Sequence, residues 1–325
     1  VTQTTAFWVE APSRGALRTA PRTQPGPGEV TVRTLHTGIS RGTESIVFRG
    51  EVPAGEWHRM RAPFQEGDFP APVKYGYLNV GVVEQGPSHL TGRTVFSLFP
   101  HQSVFTVPAS AVAVVPADVP ARRAVLAGAV ETAVNILWDA APLVGDRISV
   151  IGAGMIGCAV ARLAHGIPGV DVVLVDVDPD KAEVCRRLDV EYAIPDAAPR
   201  DRDIVIDTSG ADEGLQLAID TAAAEGEVIE ASWFGDRAVA VRLGGAFHSR
   251  RLTIRSSQVG KVSPRRRGSR TTQDRLALAL DLLRDPAFDH VLTGESSWRD
   301  LPAVMASIAE GTLPGLCHTI DWSDA

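Results

Sequence analysis

Residues Ile148–Asp176 read ISVIGAGMIGCAVARLAHGIPGVDVVLVD, and this stretch decides the fold. A β-branched run (Ile148, Val150, Ile151) leads into Gly152, Gly154 and Gly157, spaced G-x-G-x-x-G. A helical run follows from Met155 to His165, and a second β-branched run, Val172–Val175, stops at Asp176. Strand, tight turn, helix and strand in this order form the unit that carries a dinucleotide. Gly152 suits the turn, Gly154 lets the backbone approach a pyrophosphate, and Gly157 lets helix and strand pack closely. Met155 and Ile156 open the helix, whose free N–H groups and partial positive charge suit phosphate. Asp176, nineteen positions after Gly157, is where a carboxylate accepts hydrogen bonds from an adenosine ribose diol. The same carboxylate repels a 2′-phosphate, and Asp178 and Asp180 add to the repulsion. The expected cofactor is therefore NAD(H) rather than NADP(H).

Outward from this unit the alternation continues. Helical character at RRAVLAGAVETAVNILWDA ends at Pro142 and Gly145. Downstream, a helix over 179–188, a strand at Ile204–Asp207, a helix at Asp212–Ala224 and strands at Gly226–Ala231 and Leu252–Ser256 predict a doubly wound parallel sheet of the Rossmann kind. Residues 1 to about 115 differ. Short β-branched runs at Glu29–Thr34, Gly81–Glu84, Thr94–Leu98 and Ser103–Val107, separated by Gly- and Pro-rich loops, predict a β barrel or sandwich. After about residue 260 come a basic loop, KVSPRRRGSR, helices at Arg275–Leu283 and Trp298–Ala309, and a closing strand in LCHTIDW. Arg265–Arg267 is either a solvated loop or a contact for phosphate or an acidic substrate.

Composition bounds the function. The chain has 325 residues, 44% hydrophobic and 22% charged, as in an ordinary soluble globular protein of about two domains. A net charge of −7 argues against nucleic acid and against an anionic membrane surface. No apolar run approaches the ~18 residues of a membrane span. No basic segment followed by an apolar core marks a secretory signal near the start, so a cytoplasmic location is expected. The three cysteines, Cys158, Cys185 and Cys317, are scattered and suggest neither a disulfide framework nor a cysteine zinc site.

The order of parts resembles the medium-chain dehydrogenase/reductase superfamily of alcohol and polyol dehydrogenases, over nearly the whole chain. LHTGISRGTESIVFRG is similar to the segment that reads GICGSDLH in that family, and VKYGYLNVGVVEQG to the segment with G-H-E-x-x-G-x-V. AVLAGAVETAVNIL resembles the entry to the nucleotide domain, and VFSLFP the strand that ends in the substrate pocket. ISRGTE is similar to the branch that contains bacteriochlorophyllide hydroxyethyl dehydrogenase. The resemblance implies an α/β protein with a GroES-like β-rich catalytic domain (1–125), a Rossmann NAD-binding domain (126–265) and a C-terminal return to the catalytic domain (266–325). It also implies a nicotinamide held between the two domains, a small-molecule substrate, and a homodimer paired through the strand at Leu252–Ser256.

The departures matter as much. The family's zinc ligands are a Cys, a His and a second Cys or Asp, often with a nearby Glu. Here those positions hold Ser40, Tyr77 and Gly128 or Ala129, and the adjacent Glu position is Leu78. The four-cysteine structural lobe is absent. No zinc is expected, because zinc wants thiolate, imidazole or carboxylate; Glu44, Glu131, His36 and His101 are the only nearby substitutes. Tyr77 stands at the His position and can donate to a developing alkoxide, or else it fills the hole left by the metal. Ser40 offers a hydroxyl, or is a turn residue. Glu131 interrupts an apolar helix start, where a carboxylate is costly unless protonated or paired, Arg41 being one partner. His101 is a pocket-wall donor or a loop residue. Phe99 and Lys74 are assigned to the substrate pocket, Thr132 to the surroundings of the nicotinamide and Arg41 to the pyrophosphate. The implied function is a zinc-independent, NAD(H)-dependent oxidoreductase acting on a secondary alcohol or its ketone. A reductase of C=C or C=N bonds and a non-catalytic NAD(H)-binding or sensing protein are the alternatives.

Overall fold

The structure, a computed structural model, describes residues 3–325. The chain divides into two units. The first comprises the chain up to Gly128, Leu280–Arg284 and Leu292–Ala325; the second comprises Ala129–Ala279 and Asp285–Val291.

In the second unit, the described residues form a parallel six-stranded sheet. Its order is Glu191–Ala193, Asp171–Val175, Arg147–Ile151, Arg202–Asp207, Ala222–Glu230 and Thr253–Ser256. The chain enters at Arg147–Ile151, runs outward on one side, then returns and runs outward on the other. The reversal falls between Arg147–Ile151 and Arg202–Asp207, and carboxyl strand ends at such a point form a ligand crevice. Both faces of the sheet are covered, so its strands are nearly continuous apolar runs. Ile148, Val150, Val172 to Val175 and Ile204 to Ile206 are all buried. One boundary moved. The helix expected to reach Ala224 stops at Thr221, and Ala222 begins a strand that pairs with Arg202. Sheet pairing overrides the helical preference of three successive alanines.

In the first unit, a seven-stranded sheet takes in Leu292–Ser297, Cys317–Asp321, Glu29–Ile39, Asn79–Gln85, Thr94–Ser97 and Ala113–Val114 in that order, with Val104–Pro108 also pairing to Glu29–Ile39. A four-stranded sheet contains the Gln3–Ala11 and Arg14–Pro21 hairpin. Val30, Val32, Val83, Val95, Phe99 and Phe105 belong to one apolar cluster. The return of the chain to this unit lies at 280–284 and 292 rather than at 266. The helix Thr272–Leu282 runs mostly with the second unit because its buried Arg275 is bonded to Glu131 and Asn135 there.

A helix at Arg41–Arg49, not read from the sequence, buries Ile46, Val47 and Phe48. Ser40 stands at its N-cap, yet its hydroxyl makes no cap. Instead Glu44 reaches back and accepts the Ser40 backbone N–H at 2.8 Å. That frees the Ser40 side chain for another partner.

Candidate active site

The glycine turn divides its work as the spacing predicts. Gly152 has φ +96, and a Cβ there would lie 2.8 Å from Ser209 Cα. A Cβ on Gly157 would lie 1.9 Å from the Gly152 carbonyl oxygen. At Gly154 a Cβ would meet nothing within 4 Å. The chain itself gives no steric reason for that glycine, and the open space suits the approach of a ligand backbone. Met155 is buried and Ile156 half-buried in the first turn of the helix that follows. Thr208 donates to the carbonyls of Ile151 and Gly152 and so holds the turn from the neighbouring strand.

Asp176 ends the adjacent strand. Its Oδ2 accepts the Ala153 N–H at 2.6 Å, and its Oδ1 accepts the Asp178 N–H at 2.9 Å. Tyr192 donates to the carbonyls of Asp176 and Asp178. The carboxylate is thereby fixed to the glycine turn, and each oxygen keeps accepting capacity for a diol. An open Gly154 beside a fixed carboxylate fits the ribose and pyrophosphate of a dinucleotide.

In the first unit, Ser40 and Tyr77 come together. The Tyr77 phenol lies close to the side-chain hydroxyls of Ser40 and Thr43. Desolvation and the nearby Glu44 carboxylate push its pKa up to about 12, against the opposing pull of those two hydroxyls. Part of the Tyr77 side chain reaches the surface, whereas Ser40 and Glu44 are buried. Tyr75 packs edge-on to Tyr77 with ring centroids 6.0 Å apart. Gly76, at φ +123, lets the His101 ring lie against this segment; a Cβ there would stand 2.8 Å from His101 Cδ2. Thr43 was missed in the sequence, because only the helix Arg41–Arg49 turns its hydroxyl toward Tyr77.

The other candidates have these places. His101 is buried between Thr37 and Glu44. Arg41 donates to the Leu313 carbonyl. Glu131 pairs with Arg275, not with Arg41, at 3.0 Å, and the pair is nearly inaccessible. Arg275 also donates to Asn135 at 2.5 Å and to the Val259 carbonyl at 2.6 Å. Burial raises the Glu131 carboxyl pKa, and Arg275 opposes the rise. Thr132 is half-buried one residue on. Phe99 stacks on Phe105 at 3.9 Å within the apolar cluster of the first unit. Lys74 lies over the Phe99 ring, bonded to Glu66 and to Gln102. Lys74, Glu66 and Gln102 line a cleft of about 270 Å³ with Thr4, Trp8 and Arg18. The side chains of Arg265–Arg267, read as a solvated loop or a contact for phosphate or an acidic substrate, are exposed.

A zinc ion asks for a donor set that these positions do not offer. Ser40 and Tyr77 offer neutral hydroxyls, and neither Gly128 nor Ala129 has a side-chain donor. A Cβ on Gly128 would sit 2.5 Å from Leu78 Cδ2, so Leu78 occupies the space beside the third ligand position. Burial pushes the thiol of Cys317 up to about 12, and Glu44 adds to the rise. Among the described residues no three His, Cys, Asp or Glu side chains gather so as to hold a metal ion. No helix among them is long and apolar enough to cross a membrane.

No family profile matches the chain. It is 27% identical over 254 residues to 2-desacetyl-2-hydroxyethyl bacteriochlorophyllide A dehydrogenase of Cereibacter sphaeroides, covering 71% of this chain and 74% of the relative. An alcohol dehydrogenase of Escherichia coli CFT073, solved with NADH, matches with TM-score 0.77 at 15% identity, over 99% of this chain and 100% of that one. A dehydrogenase of Sinorhizobium meliloti 1021, assigned as zinc-binding and bound to NADP, matches with TM-score 0.77 at 16% identity and the same coverage. Over most of its length the chain is thus similar to dehydrogenases, in aligned sequence to the first of these proteins and in fold to the other two.

Proposed function

We propose that the protein transfers a hydride between NAD(H) and a secondary alcohol or its ketone, without zinc. The observation that carries this reading is the contact between Tyr77 and Ser40. By the resemblance both stand where that family carries zinc ligands, and here they place two hydroxyls side by side. A bound nicotinamide supplies or accepts the hydride. The residues of this chain then have two tasks: to stabilise charge on the substrate oxygen, and to move one proton. Tyr77 serves both. Its raised pKa keeps the phenol protonated at neutral pH, so it donates to a developing alkoxide and can pass the proton on. Thr43, half-buried beside the phenol, relays a proton from solvent back to it, so that each proton given to the alkoxide is replaced.

Gly152, Gly154, Gly157 and the helix start at Met155 and Ile156 would hold the pyrophosphate, and Asp176 the adenosine ribose. Asp176 and Asp178 favour NAD(H) over NADP(H) by repelling a 2′-phosphate. The edge strand Thr253–Ser256 has one unpaired side, which supports a homodimer joined through it. We assign the chain to the cytoplasm on the same reading.

The test is turnover of a ketone panel with NADH by the purified protein, together with its metal content. Turnover that survives chelation in protein carrying far less than one zinc per chain supports the proposal. One equivalent of tightly bound zinc overturns the zinc-free mechanism. Binding of NADH without turnover of any carbonyl, alkene or imine would make the protein a sensor of the cofactor instead.

A further inference from the structure

The end of the strand Arg202–Asp207 and the end of the strand Ala222–Glu230 each carry a carboxylate, and the two are register partners. Asp207 is fully buried and Glu230 half-buried. Each uses one oxygen on its own chain: Asp207 Oδ1 accepts the Ser209 N–H at 2.9 Å, and Glu230 Oε1 accepts the Ser232 N–H at 2.6 Å. The remaining oxygens, Asp207 Oδ2 and Glu230 Oε2, are buried and find no N–H or hydroxyl donor. The two carboxyl groups lie close enough to interact through a hydrogen bond. Two carboxyl groups can do that only when one of them keeps a proton.

Among the described residues, no cation acts on the ionisation of the pair. The groups that act on its ionisation are the two carboxyls themselves, Ser209 and Ser232. On the helix Asp212–Thr221, which packs against both strands, Asp212 is paired with Arg237 and Glu213 is exposed. On the edge strand, Arg255 is paired with Glu227. The register partner of Asp207 on the central strand is Ile151, and that of Glu230 on the edge strand is Ser256. Two carboxylates in contact under these conditions do not both ionise near neutral pH.

We infer that Asp207 and Glu230 share one proton and act as positioning residues for the nicotinamide half of the bound dinucleotide. This rests on the dinucleotide reading above. The ribose site at Asp176 ends one strand, and the glycine turn ends the next. The following strand ends in the sheet order are those of Asp207 and Glu230. A dinucleotide that begins at Asp176 and crosses the turn therefore continues over residues 207–211 and 230–232. The pair ties these two segments together. Ala231 N–H donates to the Asp207 carbonyl at 2.9 Å, and Gly210 N–H donates to Ser232 Oγ at 3.0 Å. Ser209 in turn abuts Gly152, so its displacement is felt at the glycine turn. When the shared proton leaves to solvent, two like charges remain in contact and push the strand ends apart.

The experiment is NADH titration of the full chain by fluorescence from about pH 6 to about pH 9.5, with Glu230→Gln alongside. The Gln amide donates to Asp207 at every pH and stands in for the shared proton. The wild-type Kd should rise about tenfold toward the alkaline end, the change one pKa unit of coupling produces, while Glu230→Gln binds as tightly at neutral pH and stays flat. Glu230→Leu, which cannot bond Asp207, should bind weakly at neutral pH. A flat wild-type profile, or a Glu230→Gln profile that follows the wild type, overturns the inference. Infrared spectra of the cofactor-free protein test the proton separately: a buried protonated-carboxyl band at neutral pH should vanish in Glu230→Gln, and its absence from the wild type overturns the shared proton. No NADH binding at any pH, with that band present, would instead sink the dinucleotide reading and the positioning role with it.

Discussion

Glu44 and His101 meet inside the β-rich unit, with Glu44 Oε2 2.8 Å from His101 Nε2 and the two side chains 3% and 1% exposed. His101 Nδ1 lies 2.7 Å from Thr37 Oγ1, which accepts from Trp322 Nε1 at 3.0 Å. An indole N–H only donates. Every group is satisfied when the Thr37 hydroxyl donates to His101 Nδ1 and His101 Nε2–H donates to Glu44. The chain of bonds runs inward to a buried tryptophan rather than out to solvent. His101 braces Glu44, and Glu44 braces Ser40 through its backbone N–H.

Removal of that brace should be costly. In His101→Leu the buried Glu44 carboxylate loses a hydrogen-bond donor, and such losses destabilise by about 1–3 kcal/mol. Urea denaturation should show the lower midpoint, with His101→Gln, which can still donate, falling between. An unchanged midpoint in His101→Leu would remove Glu44–His101 from the fold's supports.

Tyr77→Phe should keep the fold and the NADH affinity and lose the proton. General acid groups contribute about 10²–10⁴-fold, so kcat for ketone reduction should fall by that amount. With the phenol held at about 12, the wild-type reduction rate should show no loss from Tyr77 ionisation below strongly alkaline pH. Full activity in Tyr77→Phe would move the proton transfer elsewhere.

Two glycine variants separate fold from binding. Gly154→Ala adds a methyl where the chain has nothing within 4 Å, so thermal unfolding should stay close to wild type while NADH affinity drops. Gly157→Ala forces a Cβ to 1.9 Å from a backbone oxygen and should lower both. Equal NADH affinity in Gly154→Ala and wild type would mean that the open space beside the turn holds no ligand.

Asp176→Ala should weaken NADH about 10- to 100-fold, the range of a hydrogen bond to a charged group, and weaken NADPH less. Because Asp176 also holds Ala153, Asp176→Asn is the sharper probe: it keeps an acceptor for that N–H and drops the charge. The NADPH to NADH affinity ratio should rise in Asp176→Asn; a fixed ratio would argue that the carboxylate does not select the cofactor.

Stability should also respond to pH. The Glu230 pKa is pushed up to about 8, first by desolvation and then by Asp207. The native state therefore holds a proton that the unfolded chain releases above its ordinary value of 4.5. Stability from this group is present below 4.5 and is lost as pH rises toward about 8. Glu131 is raised by burial and carries the same sign. Urea midpoints across this window should fall more steeply for the wild type than for Glu230→Gln. Parallel slopes would show that Glu230 does not take up a proton on folding.

The βαβ unit was legible because its signals are local. Glycine spacing, β-branched runs and a carboxylate at the strand end lie within Ile148–Asp176, and short-range sterics alone give them meaning. The same holds for the doubly wound alternation around that unit. The helix Arg41–Arg49 was not legible, since its start is polar and its apolar residues gather only at Ile46, Val47 and Phe48. What Ser40, Glu44, His101 and Glu131 do was open for another reason. His101 finds Glu44 across 57 positions, and Glu131 finds Arg275 across 144. Sequence determined that these side chains are polar groups in apolar surroundings and must find partners. Which partner each one found was decided by tertiary structure, because a buried charge or hydroxyl is satisfied by whatever packing brings within about 3 Å, and sequence distance has no bearing on that.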